Sequence, residues 1–454
     1  MPIQKNKTQS HFHGESKPQN LTKAWIIVLT AALFFLYEFI QMNMFNSLAL
    51  SFESTFSLSA FQVALVSAFY FLSDSLLLYP AGVMLDRYSS KKLILLGMVL
   101  CILGTGLIAG SSNAWFLVIS RFLSGTASAF CLLSILRLAA SWFPPRKMGQ
   151  VTGIVVTLGM LGGALSQTPL TLLIDQTSWR EALLITALLG LFILILMIFL
   201  IKDAPEDHSH AALQSSPLKW FDGFYAMLIN KYNWLAGLYI CTMNLPIMLL
   251  AGLFGTQWMM QVHGFTDIQG SNISMMIFIG TILGSTVFGV WSDVLRSRKK
   301  PMLITALISL INFLIILYLP ASVLDNAQNY YLYLILFLSL GFFTGSQIIG
   351  YPVIRETNQA QNIGTALGFA SVIIMGTPAL LQPLVGLLMN WHSQGLMIQG
   401  ARIYSRGDYQ VGLSILTIGF LISLYCAWKL PETYGNNLNN LNNLKNKKNG
   451  EAHS

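Results

Sequence analysis

The chain has 454 residues, 54% of them hydrophobic and only 10% charged, where soluble proteins carry about 25% charged; that deficit excludes an ordinary water-facing surface and fits one that meets lipid. A net charge of +8 does not mark a nucleic-acid binder, because the basic residues fall in short loops and tails and form no single basic face. Cys101, Cys131, Cys241 and Cys426 lie inside apolar stretches without CxxC spacing, which argues against a disulfide framework and a zinc site.

In chain order, residues 1–23 read as a polar cytoplasmic tail lacking the apolar core of a cleaved signal, so the first apolar stretch is expected to be an uncleaved anchor. Stretches of about 20 apolar residues, the length that crosses a bilayer, follow at 24–48, 60–84, 93–112, 115–141, 149–173 and 181–201. Residues 202–233 form a polar cytoplasmic connection containing APEDHSHAALQSSPLK. Six more stretches lie at 234–256, 268–291, 301–320, 330–352, 363–389 and 411–430. The Asn-rich tail 431–454 reads as disordered and cytoplasmic. The expected fold class is all-α integral membrane, with twelve transmembrane helices in two six-helix bundles, 24–201 and 234–430.

With the N-terminus inside, cytoplasmic segments collect 21 Lys and Arg, and the other side has only Arg180, Arg402 and Arg406. The positive-inside rule then places both termini in the cytoplasm of a bacterial cell, with the chain in its inner membrane. Trp25, Trp115, Trp142, Trp234 and Trp291 fall near span ends, where an aromatic belt sits.

The halves repeat one another. Gly82-Val-Met-Leu-Asp86-Arg87 follows span 2 and Gly289-Val-Trp-Ser-Asp293 ends span 8, while Gly162 and Pro169 of span 5 match Gly376 and Pro383 of span 11. Two six-helix units in one orientation form a parallel repeat, which puts a solute site at the midplane between them.

These segments resemble the major facilitator superfamily over spans 1–12. Gly82-VML-Asp86-Arg87-YSS-Lys91-Lys92 is similar to its GxLaDRxGRK loop, departing at Ser89 and Ser90, and the second copy keeps Gly289, Asp293 and a basic cluster at 296–300. Arg121-FLS-Gly125 matches an RxxxG element, and Ser141-Trp-Phe-Pro-Pro-Arg-Lys with Gly153 looks like the helix 4–5 junction of organic-anion and nutrient symporters. Tyr37-Glu38-Phe39, FYFLSDSLLLYPAGVMLDR and Gly341-FFTGSQ look like a subgroup common in intracellular gammaproteobacteria. The resemblance implies two bundles rocking around a central site, with helix 1 lining the cavity. It also implies gating by Gly82, Asp86, Arg87, Gly289 and Asp293. The glycine would let helices 2 and 11 approach; alternatively the loop is only a topology determinant.

Four ionisable residues lie within spans: Glu38, Asp74, Arg121 and Arg137. An intramembrane charge costs about 2.5–3.5 kcal/mol at the centre of a span and is a functional hypothesis by default. Glu38 shares a polar stripe with Gln41 and Tyr37 and is expected to load and release a proton; the alternative is a fixed structural carboxyl. Asp74 is expected either to relay protons or to neutralise Arg121 or Arg137. Arg121 offers a fork for an acidic group of the solute, whereas Arg137 either joins it or snorkels to the cytoplasm. The second half has no charge inside its spans; Asn244, Gln257, Gln347, Tyr351 and Gln382, with Trp258, are its candidate solute contacts, Asn244 beside a helix break expected at Pro246. Glutamines also serve as interhelical glue.

The function expected is secondary active transport of an amino acid, small peptide, carboxylate or siderophore-like nutrient, as proton symport. The rivals are a drug/proton antiporter and a non-transporting sensor or assembly factor. Without GxxxxGK[ST], and without a nucleophile or metal cluster, neither an ATPase nor another enzyme is expected. No cofactor is expected. The partners are a small solute, protons and lipid; nucleic acid is not among them, and a monomer is expected.

Overall fold

The computed structural model describes residues 21–203, 228–320, 326–359, 362–395, 397–398 and 401–434. Most of the N-terminal tail, most of the central connection and the Asn-rich tail fall outside the described residues. The chain is a multi-pass membrane protein with twelve helical segments long and apolar enough to cross a bilayer. The first six are Leu21–Asn43, Ala60–Leu78, Ser90–Ala109, Ala114–Trp142, Met148–Gln176 and Trp179–Leu200; the last six are Lys231–His263, Asp267–Val294, Lys299–Tyr318, Ala327–Thr357, Ile363–His392 and Arg406–Lys429.

Polar residues at loop ends start these helices by satisfying free backbone N–H groups. Ser59 accepts from the Gln62 N–H while the Gln62 side chain accepts from the Ser59 N–H; Thr266 with Gln269 and Ser405 with Asp408 repeat that box. The starts of spans 3 and 9 use acidic residues from distant sequence. Asp203, just after span 6, accepts from the Lys91 N–H at 2.8 Å, and Glu432, just after span 12, accepts from the Arg298 N–H at 2.8 Å. A helix N-terminus attracts a carboxylate, so each half closes by the same device.

Packing obeys the repeat. Span 1 packs on 5, 2 on 4, and 3 on 6; six spans later, 7 packs on 11, 8 on 10, and 9 on 12. The halves meet along spans 2 and 11 and along spans 5 and 8.

Four spans are less regular than their apolar patterns suggest. Span 1 breaks at Met44 and continues as a second helix, Phe45–Phe56, well past the expected end at 48. Span 5, expected as one helix, stops at Leu165 and restarts at Thr168 with Pro169 in its first turn, where a missing N–H costs nothing. Span 7 does not break at Pro246. It runs α-helical through the proline and then widens into a π-helix, Ile247–Phe254, every residue of which is buried. Span 10 tightens into a 3-10 turn at Gly345–Ile349.

Two faces need names. The basic face carries the loops at 87–92, 146–147 and 296–300; the far face carries the loops at 57–59, 264–266 and 393–405.

Candidate functional site

The polar centre of the first half is built on spans 1, 2 and 4. Glu38 is 1% exposed and Asp74 2%, and Ser128 of span 4 lies beside both carboxyl groups. One oxygen of each carboxyl has no hydrogen-bond partner. Neither carboxyl forms an ion pair with Arg121 or Arg137 among the described residues, contrary to the neutralising role expected for Asp74. The reason is local: the break at Met44 frees carbonyls of span 1, and the Arg121 guanidinium is spent on them. It donates to the Gln41 carbonyl at 2.6 Å and the Met42 carbonyl at 3.3 Å, with its carbon 4.5 Å from the ring centres of both Phe45 and Tyr70. Arg121 is fully buried, so in this conformation its fork is closed to a solute. Arg137 is exposed and near the basic-face end of span 4, the placement of a snorkelling side chain.

The second half contributes an uncharged polar wall around the π-helix of span 7. Such wide turns leave carbonyls out of register with the helical ladder, and side chains from other spans take them. Gln382 of span 11 donates to the Met248 carbonyl at 2.8 Å, and Gln167 of span 5 donates to the Ala251 carbonyl at 3.0 Å. The Asn43 side-chain oxygen and the Gln382 amide both lie close to Gly252. Gln41 and Asn244 are buried, Gln41 with both amide atoms unpartnered. Gln347, in the 3-10 turn, and the half-buried Tyr351 belong to span 10. Trp258 packs within the second half against Tyr409 and Phe337, ring centres 6.3 and 6.4 Å away.

The halves are hydrogen-bonded to each other at the far face. Asn46 donates to Thr256 at 2.8 Å and accepts from the Thr256 N–H at 3.1 Å; Thr168 donates to Asn272 at 2.7 Å; Tyr404 accepts from the Ala60 N–H at 3.1 Å. Spans 2 and 11 touch backbone to backbone there. A Cβ placed on Gly386 would stand 2.7 Å from the Phe61 Cα, closer than packed atoms tolerate. At the basic face a Cβ on Gly82 of span 2 or on Gly289 of span 8 would meet nothing within 4 Å. The approach of helices 2 and 11 expected at Gly82 is therefore found at their other ends. Arg87 is exposed, and the Asp86 side chain falls outside the described residues. Asp293 binds Arg298 at 2.7 Å, and Arg298 also binds Glu356 at 3.1 Å, a pairing internal to the second half. Burial works against the Arg298 charge, but the hydrogen bonds it donates to Glu356 and Asp293 outweigh it and hold its pKa above the ordinary value.

Reading by charge and motif missed Asn43, Asn46, Glu53, Gln167 and Thr256. The first three continue the polar stripe of Glu38 and Gln41 up to and past the break, and ending span 1 at residue 48 hid Glu53.

A profile of the Major Facilitator Superfamily matches residues 28–266, more than half of the chain. The chain belongs to this superfamily, whose members are transporters rather than enzymes. Among curated relatives it is 23% identical over 389 residues to the choline/ethanolamine transporter FLVCR1 of Felis catus, matching 78% of this chain and 66% of that protein. It is 23% identical over 387 residues to the hexuronate transporter of Bacillus subtilis (strain 168), matching 79% of this chain and 87% of that protein. A bacterial homolog of the human lysosomal transporter Spinster, solved inward-facing and unoccupied, superposes with a TM-score of 0.66 at 17% identity, covering 91% of this chain and 96% of that one. That likeness bears on the fold alone.

Proposed function

We propose that the chain is a proton-coupled secondary transporter of a small polar solute, working by alternating access in a bacterial inner membrane with its basic face in the cytoplasm. The observation that carries this reading is the pair Glu38 and Asp74, buried mid-span around Ser128 with no cation paired to either. An ionised carboxylate left so is costly, so the pair is suited to taking a proton, a cationic solute, or each in turn. The Gln41, Asn244, Gln347, Tyr351 and Gln382 side chains supply neutral hydrogen-bonding groups across the midplane, where solutes bind between parallel repeats. The sealed far face and the open surroundings of Gly82 and Gly289 make this an inward-open state under the positive-inside orientation.

The buried Arg121 fork and the unpaired carboxyls favour an amine or quaternary-ammonium solute, in line with the printed name of FLVCR1. An anionic nutrient, as in the name of the hexuronate transporter, is the second reading; it requires Arg121 to leave the span 1 carbonyls and turn to the solute. In that case Trp258, Gly82, Asp86, Arg87, Gly289 and Asp293 keep supporting and gating parts rather than solute contacts.

The test is uptake by the purified chain in proteoliposomes under an imposed pH gradient, with labelled choline, ethanolamine and glucuronate. Choline or ethanolamine uptake that collapses at least tenfold in Glu38→Gln or Asp74→Asn supports the cationic reading. Glucuronate uptake lost in Arg121→Ala supports the anionic one. Uptake of either solute undiminished in both Glu38→Gln and Asp74→Asn removes the carboxyl pair from coupling.

A further inference from the structure

Beyond the first membrane span, the helix Phe45–Phe56 carries a second buried acid that the transport reading does not use. Glu53 is 1% exposed, and both its carboxyl oxygens lack a hydrogen-bond partner. It sits seven residues, two helical turns, after Asn46 and so on the same face. That face is the far seam: Asn46 bonds Thr256 of the second half, and Glu53 lies beside the next residue, Gln257, whose side-chain nitrogen is also buried and unpartnered. The titratable groups that face it are Tyr404 and Tyr409 of the second half, and the strand carrying Arg402 packs on its helix. Among the described residues Glu53 forms no ion pair, and the Tyr404 hydroxyl is engaged with Ala60 and Asn390. The aromatic contacts of Phe52 with Phe45 and Trp179 fix the helix, so Glu53 cannot swing out to water while the seam is closed. A cleft of about 330 Å³ lined by Ser57, Ser59, Gln62 and Arg402 opens at the end of the same helix.

We propose that Glu53 is a proton-binding site built into the far seam: the halves close there with this carboxyl protonated, and opening that face to water lets it release the proton. The proposal rests on the reading of the chain as an alternating-access transporter, and on no role given to Glu38 or Asp74. The geometry supplies the reason. Closing the seam on an ionised Glu53 would bury a charge with only an amide for company, whereas the protonated acid is neutral and able to donate. Burial with both oxygens unpartnered therefore favours the neutral carboxyl while the seam is closed. The sign follows from linkage. An acid whose pKa is higher in the closed seam favours closure fully below its open-state value, and that preference is lost as pH rises through the closed-state value. Protons on the far face thus drive the seam shut, and one site gives at most about a tenfold change in the open-to-closed ratio per pH unit.

The experiment is a spin-label distance measurement on the full chain in nanodiscs, using Ser112→Cys and Gln394→Cys. Both positions are exposed on the far face of opposite halves, and the four native cysteines are buried. Between pH 5 and 9 the native distances are expected to shift from one short population to a growing long one. Glu53→Gln, isosteric and permanently neutral, is expected to stay short throughout, and Glu53→Asp to keep a pH dependence with a displaced midpoint. A pH response in Glu53→Gln equal to the native one overturns the proposal. So does a native distance that stays short at every pH while Gly386→Leu gives a long one. A short distance in Gly386→Leu as well would instead overturn the alternating-access reading beneath it.

Discussion

Spans 2 and 11 touch backbone to backbone at one end, and span 2 leaves space around a glycine at the other. At the far face Gly386 presses on the backbone of Ala60 and Phe61; at the basic face Gly82 has open space around its Cα. Contact geometry alone explains the first glycine and not the second. Gly82 is understandable only if a second arrangement of the same halves brings it against a neighbour. On the proposed alternating-access reading, a packed end and an open one are the two ends of a rocking motion in one of its states.

The largest expected effect comes from breaking the packed end. In Gly386→Leu the added side chain has no room, and overpacking of this kind costs about 1–3 kcal/mol. The open-to-closed ratio at the far face should rise by roughly ten- to a hundredfold, read as the long spin-label distance at pH 6. Retention of the short distance would overturn the alternating-access reading. A smaller effect is expected from Asn46→Ala, which removes the bonds to Thr256 and Gln167, the latter at 2.6 Å. At about 0.5–1.5 kcal/mol per bond, loss of the two bonds to Thr256 should move the ratio roughly five- to a hundredfold in the same direction. Thermal unfolding should show only the modest loss of the Gln167 bond within the first half; a large fall in melting temperature without seam opening would reassign Asn46 to local packing. The smallest effect on stability belongs to the loose end. Gly82→Ala should leave the melting temperature of this state unchanged, within about 0.5 kcal/mol, while slowing uptake by removing the close approach in the other state. Unchanged uptake would reduce the signature loop to a topology marker.

Part of the site was legible in the chain because charge inside an apolar span is conspicuous. Glu38, Asp74 and Arg121 stand out by composition alone, and all three converge on one polar centre. Their partners were not legible. Arg121 resembles an anion fork, but the break at Met44 offers it two backbone carbonyls, and a break of that kind leaves no mark in residue type. Glu53 was overlooked for the same reason. Once span 1 is ended at residue 48, a glutamate a few residues later reads as a loop charge, whereas the helix continues and carries it into the seam. Pro246 misled in the opposite direction: it suggested a broken helix, and the chain instead absorbs the proline by widening into a π-helix whose carbonyls Gln382 and Gln167 satisfy.

The sequence by itself determined the number of spans and the repeat, because apolar length and the recurrence of Gly and Asp at span ends are local properties that lipid enforces on any such chain. Only the tertiary structure decided which end of the two halves is closed and which polar groups go unpartnered there. Those outcomes depend on what each side chain meets across a seam. Asn46, Glu53, Thr256 and Gln257 become neighbours only when residues some two hundred positions apart pack together.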